Sequence, residues 1–282
     1  MAVTYRRIRV KNALPKSGLH DIDYAFNPYV GCAHGCLYCY ARAYTRHREV
    51  AENWGKIVYI KENVLEVLAR EVRRLKPGIV GVSTITDPYQ PVEAQEKLTR
   101  RGMQILLESS FHVSIQTKSP LVLRDLEILA ENRQKVDVGF TIITLDRESS
   151  RLLEPGAPSP AERAQALEEI STRDIETWIF LGPIIRGIND SASSLRRVVQ
   201  LAAKTGSTLL YDFLRMKPGL NNSLSPILQR YPLALSTDRS WRKAVCEKVE
   251  KLCAEVGVKC EPAFPQPRKD KVDEGYKKIL DY

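Results

Sequence analysis

From residue 56 onward, short runs rich in β-branched and aromatic residues alternate with stretches of helical length whose apolar positions recur every three or four residues. That is the pattern of βα units on a parallel sheet. KIVYI (56–60) is followed by VLEVLAREVRRL (64–75), where Val64, Leu65, Val67, Leu68, Val72 and Leu75 follow helical spacing and Lys76-Pro77-Gly78 is a stop. GIVGVSTIT (78–86) precedes a helix over 96–110, HVSIQTKS (112–119) one over 121–133, and VDVGFTIIT (136–144) one over 161–172. ETWIFLGPII (176–185) leads to a helix over 191–206 and then to the strand STLLYDFLRM (207–216). About six parallel strands with their helices predict an α/β fold, a partial (β/α)6 barrel of the TIM type.

The connector EPGAPSP (154–160) is stiffened by three prolines, with Ser159 as N-cap and Pro160 at the first helical position of the next helix. NNSLSPILQRYP (221–232) reads as loop, and a helix over 238–257 closes the chain before a proline-rich ending. The expected organisation is an N-terminal extension (1–26), a core (27–216) and a C-terminal helical extension (217–282) packed on it. Barrels of this kind gather their functional groups at the C-terminal ends of the strands. Here those ends are polar: Thr84, Thr86 and Asp87, then Thr117, Lys118 and Ser119, then Thr141 and Thr144, then Arg186 and Asn189. They are expected to line one mouth.

Composition changes this picture little. With 282 residues, 43% hydrophobic and 27% charged, the chain is neither disordered nor fibrous and can bury a large core. No run reaches the roughly 18–20 apolar residues of a membrane helix, and the N-terminus lacks the apolar core of a signal peptide, so a cytoplasmic protein with no membrane partner is expected. Charge adds more. The net charge is +9, and the first fifty residues hold eight Lys or Arg against three Asp or Glu, which makes nucleic acid a candidate partner.

The most informative stretch is GCAHGCLYCYARAY (31–44), with Cys32, Cys36 and Cys39 among small residues that let the backbone fold tightly. Six cysteines are too sparse for a disulfide scaffold, so thiolates this close call for a metal. Structural zinc wants four ligands and would have to recruit His34, His47 or a distant cysteine. Iron–sulfur clusters take one thiolate per iron, and a four-iron cluster given three leaves one iron open.

The spacing of CAHGCLYCY resembles the CxxxCxxC signature of the radical S-adenosylmethionine (SAM) superfamily, including aromatic Tyr38 before the third cysteine. The resemblance implies a [4Fe–4S] cluster on Cys32, Cys36 and Cys39, SAM chelated at the open iron, and an electron donor of the flavodoxin or ferredoxin type. It further implies reductive cleavage of SAM to methionine and a 5′-deoxyadenosyl radical that abstracts hydrogen from a substrate the sequence does not name. The cofactor carries that chemistry and the protein orients it.

A narrower resemblance, to the spore photoproduct lyase-like (DNA repair photolyase-like) family, rests on NPYVGCAHGCLYCYAR (27–42), TDPYQPVE (86–93) with LTR (98–100), and TKSPLVLRDLEIL (117–129). LEPGAPSPAER (153–163) and PIIRGIND (183–190) extend it. It implies that Asp87, with Thr86 beside it, accepts a charge-assisted hydrogen bond from the SAM ammonium, and that Lys118 lies near the SAM carboxylate. Thr141 stands where a serine is usual, and Tyr38 and Tyr40 flank the cluster and adenine. The Gly-Gly-Glu motif of other radical SAM proteins is absent, and STITD lacks the cysteine with which photoproduct lyases return a hydrogen atom.

Two alternatives stay open: a DNA- or RNA-directed lyase or modification enzyme of the photoproduct lyase type, and a non-catalytic zinc-containing nucleic-acid-binding protein. Tyr89 and Gln90 could face a substrate, and Arg124 with Asp125 reads as a structural ion pair. His34 reads as a loop spacer, and His20, His47 and His112 lack a paired carboxylate pattern. Cys246, Cys253 and Cys260 recur every seven residues, either as a buried face or as ligands of a second cluster.

Overall fold

The computed structural model describes residues 2–264. Its ten strands are β1 (Thr4–Ile8), β2 (Tyr24–Phe26), β3 (Tyr29–Val30), β4 (Ile57–Lys61), β5 (Ile79–Val82), β6 (His112–Thr117), β7 (Val136–Thr141), β8 (Glu176–Ile184), β9 (Thr208–Phe213) and β10 (Cys260–Pro262). Seven form one parallel sheet in the order β10-β9-β8-β7-β6-β5-β2. Burial alternates along β6 and most of β8 and β9, so the sheet has two distinct faces there. Val113, Ile115, Val138, Ile179 and Leu209 pack against Leu106, Leu129, Ile170, Val198 and Val249 of the covering helices in one core. The intervening His112, Ser114, Gln116, Asp137 and Trp178 are half-buried, and His112, Ser114 and Trp178 all hydrogen-bond to Asp137. This is the expected partial TIM-type barrel.

The strand expected from KIVYI lies elsewhere. β4 pairs with β1 in parallel and with β3 antiparallel, in a separate three-stranded sheet. The place beside β5 belongs to β2, three buried residues inside the stretch expected as an N-terminal extension. Three residues carry no periodicity, and local pattern does not specify which strand a run pairs with.

The segment read as loop contains a helix, Leu220–Leu228. Leu220, Leu224 and Ile227 recur at i, i+4 and i+7 and are fully buried against Ile143, Ile185, Leu214 and Cys36, and this burial offsets Pro226 in the last turn. The helix Pro160–Ser171 starts as expected, with Ser159 and Glu162 forming a reciprocal capping box. The final helix, Arg239–Val256, packs on Ala192–Thr205. Most of the expected proline-rich ending, and with it the end of the 217–282 extension, lies outside the described residues. No helix among the described residues is long and apolar enough to cross a membrane.

Candidate cluster and cofactor site

The cysteine loop leaves β3 at Gly31, whose φ of +85° favours glycine and whose missing Cβ would stand 2.8 Å from the Ile57 carbonyl oxygen. Gly35 N–H donates to Cys32 O and Cys39 N–H to Cys36 O, each at 3.2 Å, so two successive tight turns carry the cysteines. Cys32 and Cys36 are buried and Cys39 half-buried. Burial pushes the Cys36 thiol up to about 11, against the opposing Lys118 ammonium, and burial with Cys36 nearby pushes Cys39 up to about 12. A metal held by these cysteines would require them as thiolates.

Residues 84–90, after β5, clasp one side of this loop. Thr86 Oγ1 donates to Gly31 O at 2.5 Å. Gln90 Nε2 donates to Thr86 Oγ1 at 3.0 Å and to Gly31 O at 3.3 Å, and Gln90 Oε1 accepts from Ala33 N–H at 2.9 Å. Tyr40 reaches back to the Thr84 carbonyl at 2.6 Å. Gln90 and Tyr89 are fully buried, and the Gln90 side chain is turned onto the cysteine loop.

Asp87 is the hub. Its Oδ1 accepts from Thr117 Oγ1 at 2.7 Å and Tyr89 N–H at 2.9 Å, and its Oδ2 from Lys118 N–H at 2.8 Å with His34 Nδ1 at 3.3 Å. Burial opposes its charge, but His34, Lys118 and Thr117 outweigh that and hold the carboxyl at about 2. The expected role, receiving the SAM ammonium, meets a carboxylate whose oxygens are already engaged by this chain. What the geometry gives Asp87 is the junction of the ends of β5 and β6 with the cysteine loop. His34, read as a spacer, is a buried partner in that junction, and Asp87 raises its imidazole to about 10 against burial, which lowers it.

A second clasp comes from 153–163, more than a hundred residues away. Leu37 N–H donates to Leu153 O at 2.8 Å and Gly156 N–H to His34 O at 2.9 Å. Tyr38 donates its hydroxyl to Glu154, which also accepts from Ser150 Oγ at 3.0 Å and pairs with Arg163 Nη2 at 2.6 Å. Arg163 Nη1 donates to Thr141 O at 3.0 Å and Nε to Pro158 O at 2.9 Å, tying the loop to the end of β7. Glu154 and Arg163 lie in LEPGAPSPAER, where the sequence marks a stiff connector and a helix start but not the ion pair they form.

Of the remaining expected residues, half-buried Lys118 places Nζ 5.8 Å from the centre of the Tyr38 ring. Its ammonium makes no hydrogen bond or ion pair among the described residues. Burial works against that charge, but Cys36 and Glu154 raise its pKa above the ordinary value. Thr141 is buried, and its Oγ1 accepts from Gln116 Nε2 at 3.0 Å. Tyr40 is 44% exposed. Two expected mouth residues turn away: Arg186 pairs with Asp238 at 2.5 Å, and Asn189 donates to Ile143 O and Pro183 O. Arg124 and Asp125 are paired as expected, within a network that includes Glu93 and Arg100.

Cys32, Cys36 and Cys39 place three thiols on one tight loop, the donor type that an iron–sulfur cluster would take at one thiolate per iron. Among the described residues no group of three or more His, Cys, Asp or Glu side chains is already placed to hold a metal ion. The glycine turns, the two clasps and the unpaired Lys118 charge suit an anionic group on this loop. At the other end of the chain, Cys253 lies in the core with Cys246 and Cys260 packed against it.

A parallel partial barrel with a three-cysteine loop beside its strand ends places the chain in the α/β class with a radical SAM-type core. The signature of the radical SAM superfamily matches residues 26–198, and the chain belongs to that superfamily. An uncharacterized protein of Methanocaldococcus jannaschii is 31% identical over 184 residues, 65% of this chain and 69% of its own. An uncharacterized protein of Mycobacterium tuberculosis is 30% identical, and the chain spans 63% of its length. A radical SAM Nalpha-GlyT isomerase of Pseudomonas phage M6 is 22% identical over 75% of this chain and 47% of its own. Among solved structures, spore photoproduct lyase complexed with dinucleoside spore photoproduct superposes with a TM-score of 0.66 at 14% identity, covering 92% of this chain and 82% of that one. That likeness is one of fold.

Proposed function

We propose that the chain is a radical SAM enzyme that holds a [4Fe–4S] cluster on Cys32, Cys36 and Cys39 and binds SAM at the barrel mouth. When bound, the cluster and SAM would supply reductive cleavage of the sulfonium and an organic radical for hydrogen abstraction. The observation that carries this is the three-cysteine loop clasped from both sides, with the Lys118 ammonium unpaired above Tyr38. Lys118 is the cation to meet the SAM carboxylate, and Tyr38, Tyr40, Thr86 and Thr141 frame the cofactor from the loop and the strand ends. Asp87 acts one step back, holding the Lys118 backbone and His34.

The six thiols are free, which suits a reducing cytoplasm, and a one-electron donor of the flavodoxin or ferredoxin type would serve the cluster. A cleft of about 530 Å³ beside the loop is lined by His34, Tyr89, Ser119 and Gly156.

The net charge of +9 favours a second reading of the substrate, a nucleic acid, in line with the dinucleoside bound by spore photoproduct lyase. Iron and sulfide analysis after anaerobic reconstitution tests the cluster: about four irons per chain, lost in Cys36→Ala, is the expected result. Tight zinc without iron would instead support a zinc-containing binding protein.

A further inference from the structure

Glu154 and Arg163 form an ion pair with at most 1% of either side chain exposed. A buried pair is a weak source of stability, because desolvation offsets the attraction. Its contacts point to a different use. Glu154 accepts from Tyr38, which stands between Cys36 and Cys39, and Arg163 grips the Thr141 and Pro158 carbonyls that fix the pair in place. The backbone on either side of Glu154 is pinned to the same loop, Leu153 O to Leu37 and Gly156 N–H to His34 O. One acid and one base, both shielded from water, therefore stand directly behind the cysteine loop, and both act electrostatically on Cys36.

Groups behind metal ligands orient them, and nearby buried charge tunes the reduction potential of an iron–sulfur cluster. We propose that Glu154 and Arg163 are positioning residues for the cluster, which hold Tyr38 and the loop and set the cluster's reduction potential through their two opposite charges. The inference rests on the cluster assignment made above. It separates two contributions: the reach of Glu154 to Tyr38, which orders the loop, and the charges themselves, which act on the electron.

The experiment is an anaerobic redox titration, monitored by electron paramagnetic resonance, of the reconstituted full chain and its Glu154→Gln, Glu154→Asp and Arg163→Met variants. Glu154→Gln keeps the shape and removes a negative charge, so its potential is expected to rise. Arg163→Met removes a positive charge, so its potential is expected to fall. Glu154→Asp keeps the charge and gives up the reach, so it should hold the wild-type potential with less iron per chain. Should Arg163→Met not fold, the contrast between the two Glu154 variants decides. A fully loaded Glu154→Gln at the wild-type potential, or shifts of the same sign in Glu154→Gln and Arg163→Met, would overturn the proposal while leaving the cluster intact. A wild-type chain that takes up no iron would contradict the cluster itself and the proposal with it.

Discussion

His34 Nδ1 lies 3.3 Å from Asp87 Oδ2, with both side chains buried, so a residue of the cysteine loop is held to the segment that follows β5 by a charge contact. The same carboxylate accepts from Thr117, Tyr89 and Lys118, and one side chain thereby sets the relative placement of three segments.

Asp87→Asn keeps the shape but loses the charge that His34 faces. Removing one partner from a buried charged network costs roughly 3 kcal/mol. Thermal unfolding is expected to show a drop of several degrees, with iron occupancy falling in parallel; an unchanged melting curve would contradict the hub role.

Much of the fold was readable because the central helices bury apolar stripes and because β6, β8 and β9 are long enough to show alternation. What stayed hidden depends on partners distant in sequence. β2 is three residues long, and Leu220–Leu228 becomes a helix only because Leu224 has Ile143 and Leu214 to pack on. The cysteines were legible from their spacing and Asp87 and Lys118 as polar strand ends, while the roles expected of Tyr38, Asp87 and Lys118 came from the family resemblance. His112 showed no carboxylate nearby in sequence, since Asp137 reaches it across strands, and Glu154 becomes a neighbour of Tyr38 only through a contact spanning 116 residues.

Leu224→Ala tests the helix that covers the mouth. Leu224 is fully buried, and truncating such a leucine costs roughly 2–5 kcal/mol, whereas Asn221→Ala on the exposed side should be close to neutral. Chemical denaturation of the two variants gives the comparison, and equal midpoints would refute the docked helix.

The His112–Asp137 pair, 2.8 Å apart, predicts a pH dependence. The hydrogen bond to Asp137 raises the imidazole above its ordinary 6.5, with burial opposing. A raised folded-state value means that the pair's stabilisation is complete below about pH 6.5 and is lost as the pH climbs through the higher folded value. The melting-temperature gap between wild type and His112→Gln should therefore be widest below the ordinary value of 6.5 and narrow as the pH rises through the higher folded value. A gap that widens with pH would show the pair to be uncharged in the fold.

Lys118→Met should leave iron content and melting temperature near wild type while weakening SAM binding at least about tenfold, the loss expected for a hydrogen bond to a charged group. Equilibrium dialysis with labelled SAM reads this directly. Undiminished binding would remove Lys118 from the cofactor site.

The central claim is that Cys32, Cys36 and Cys39 support reductive cleavage of SAM. Anaerobically reconstituted protein, reduced with dithionite and incubated with SAM, is expected to release 5′-deoxyadenosine and methionine, and Cys36→Ala treated identically is expected to release neither. Iron-loaded wild type that leaves SAM intact under reduction would contradict the account.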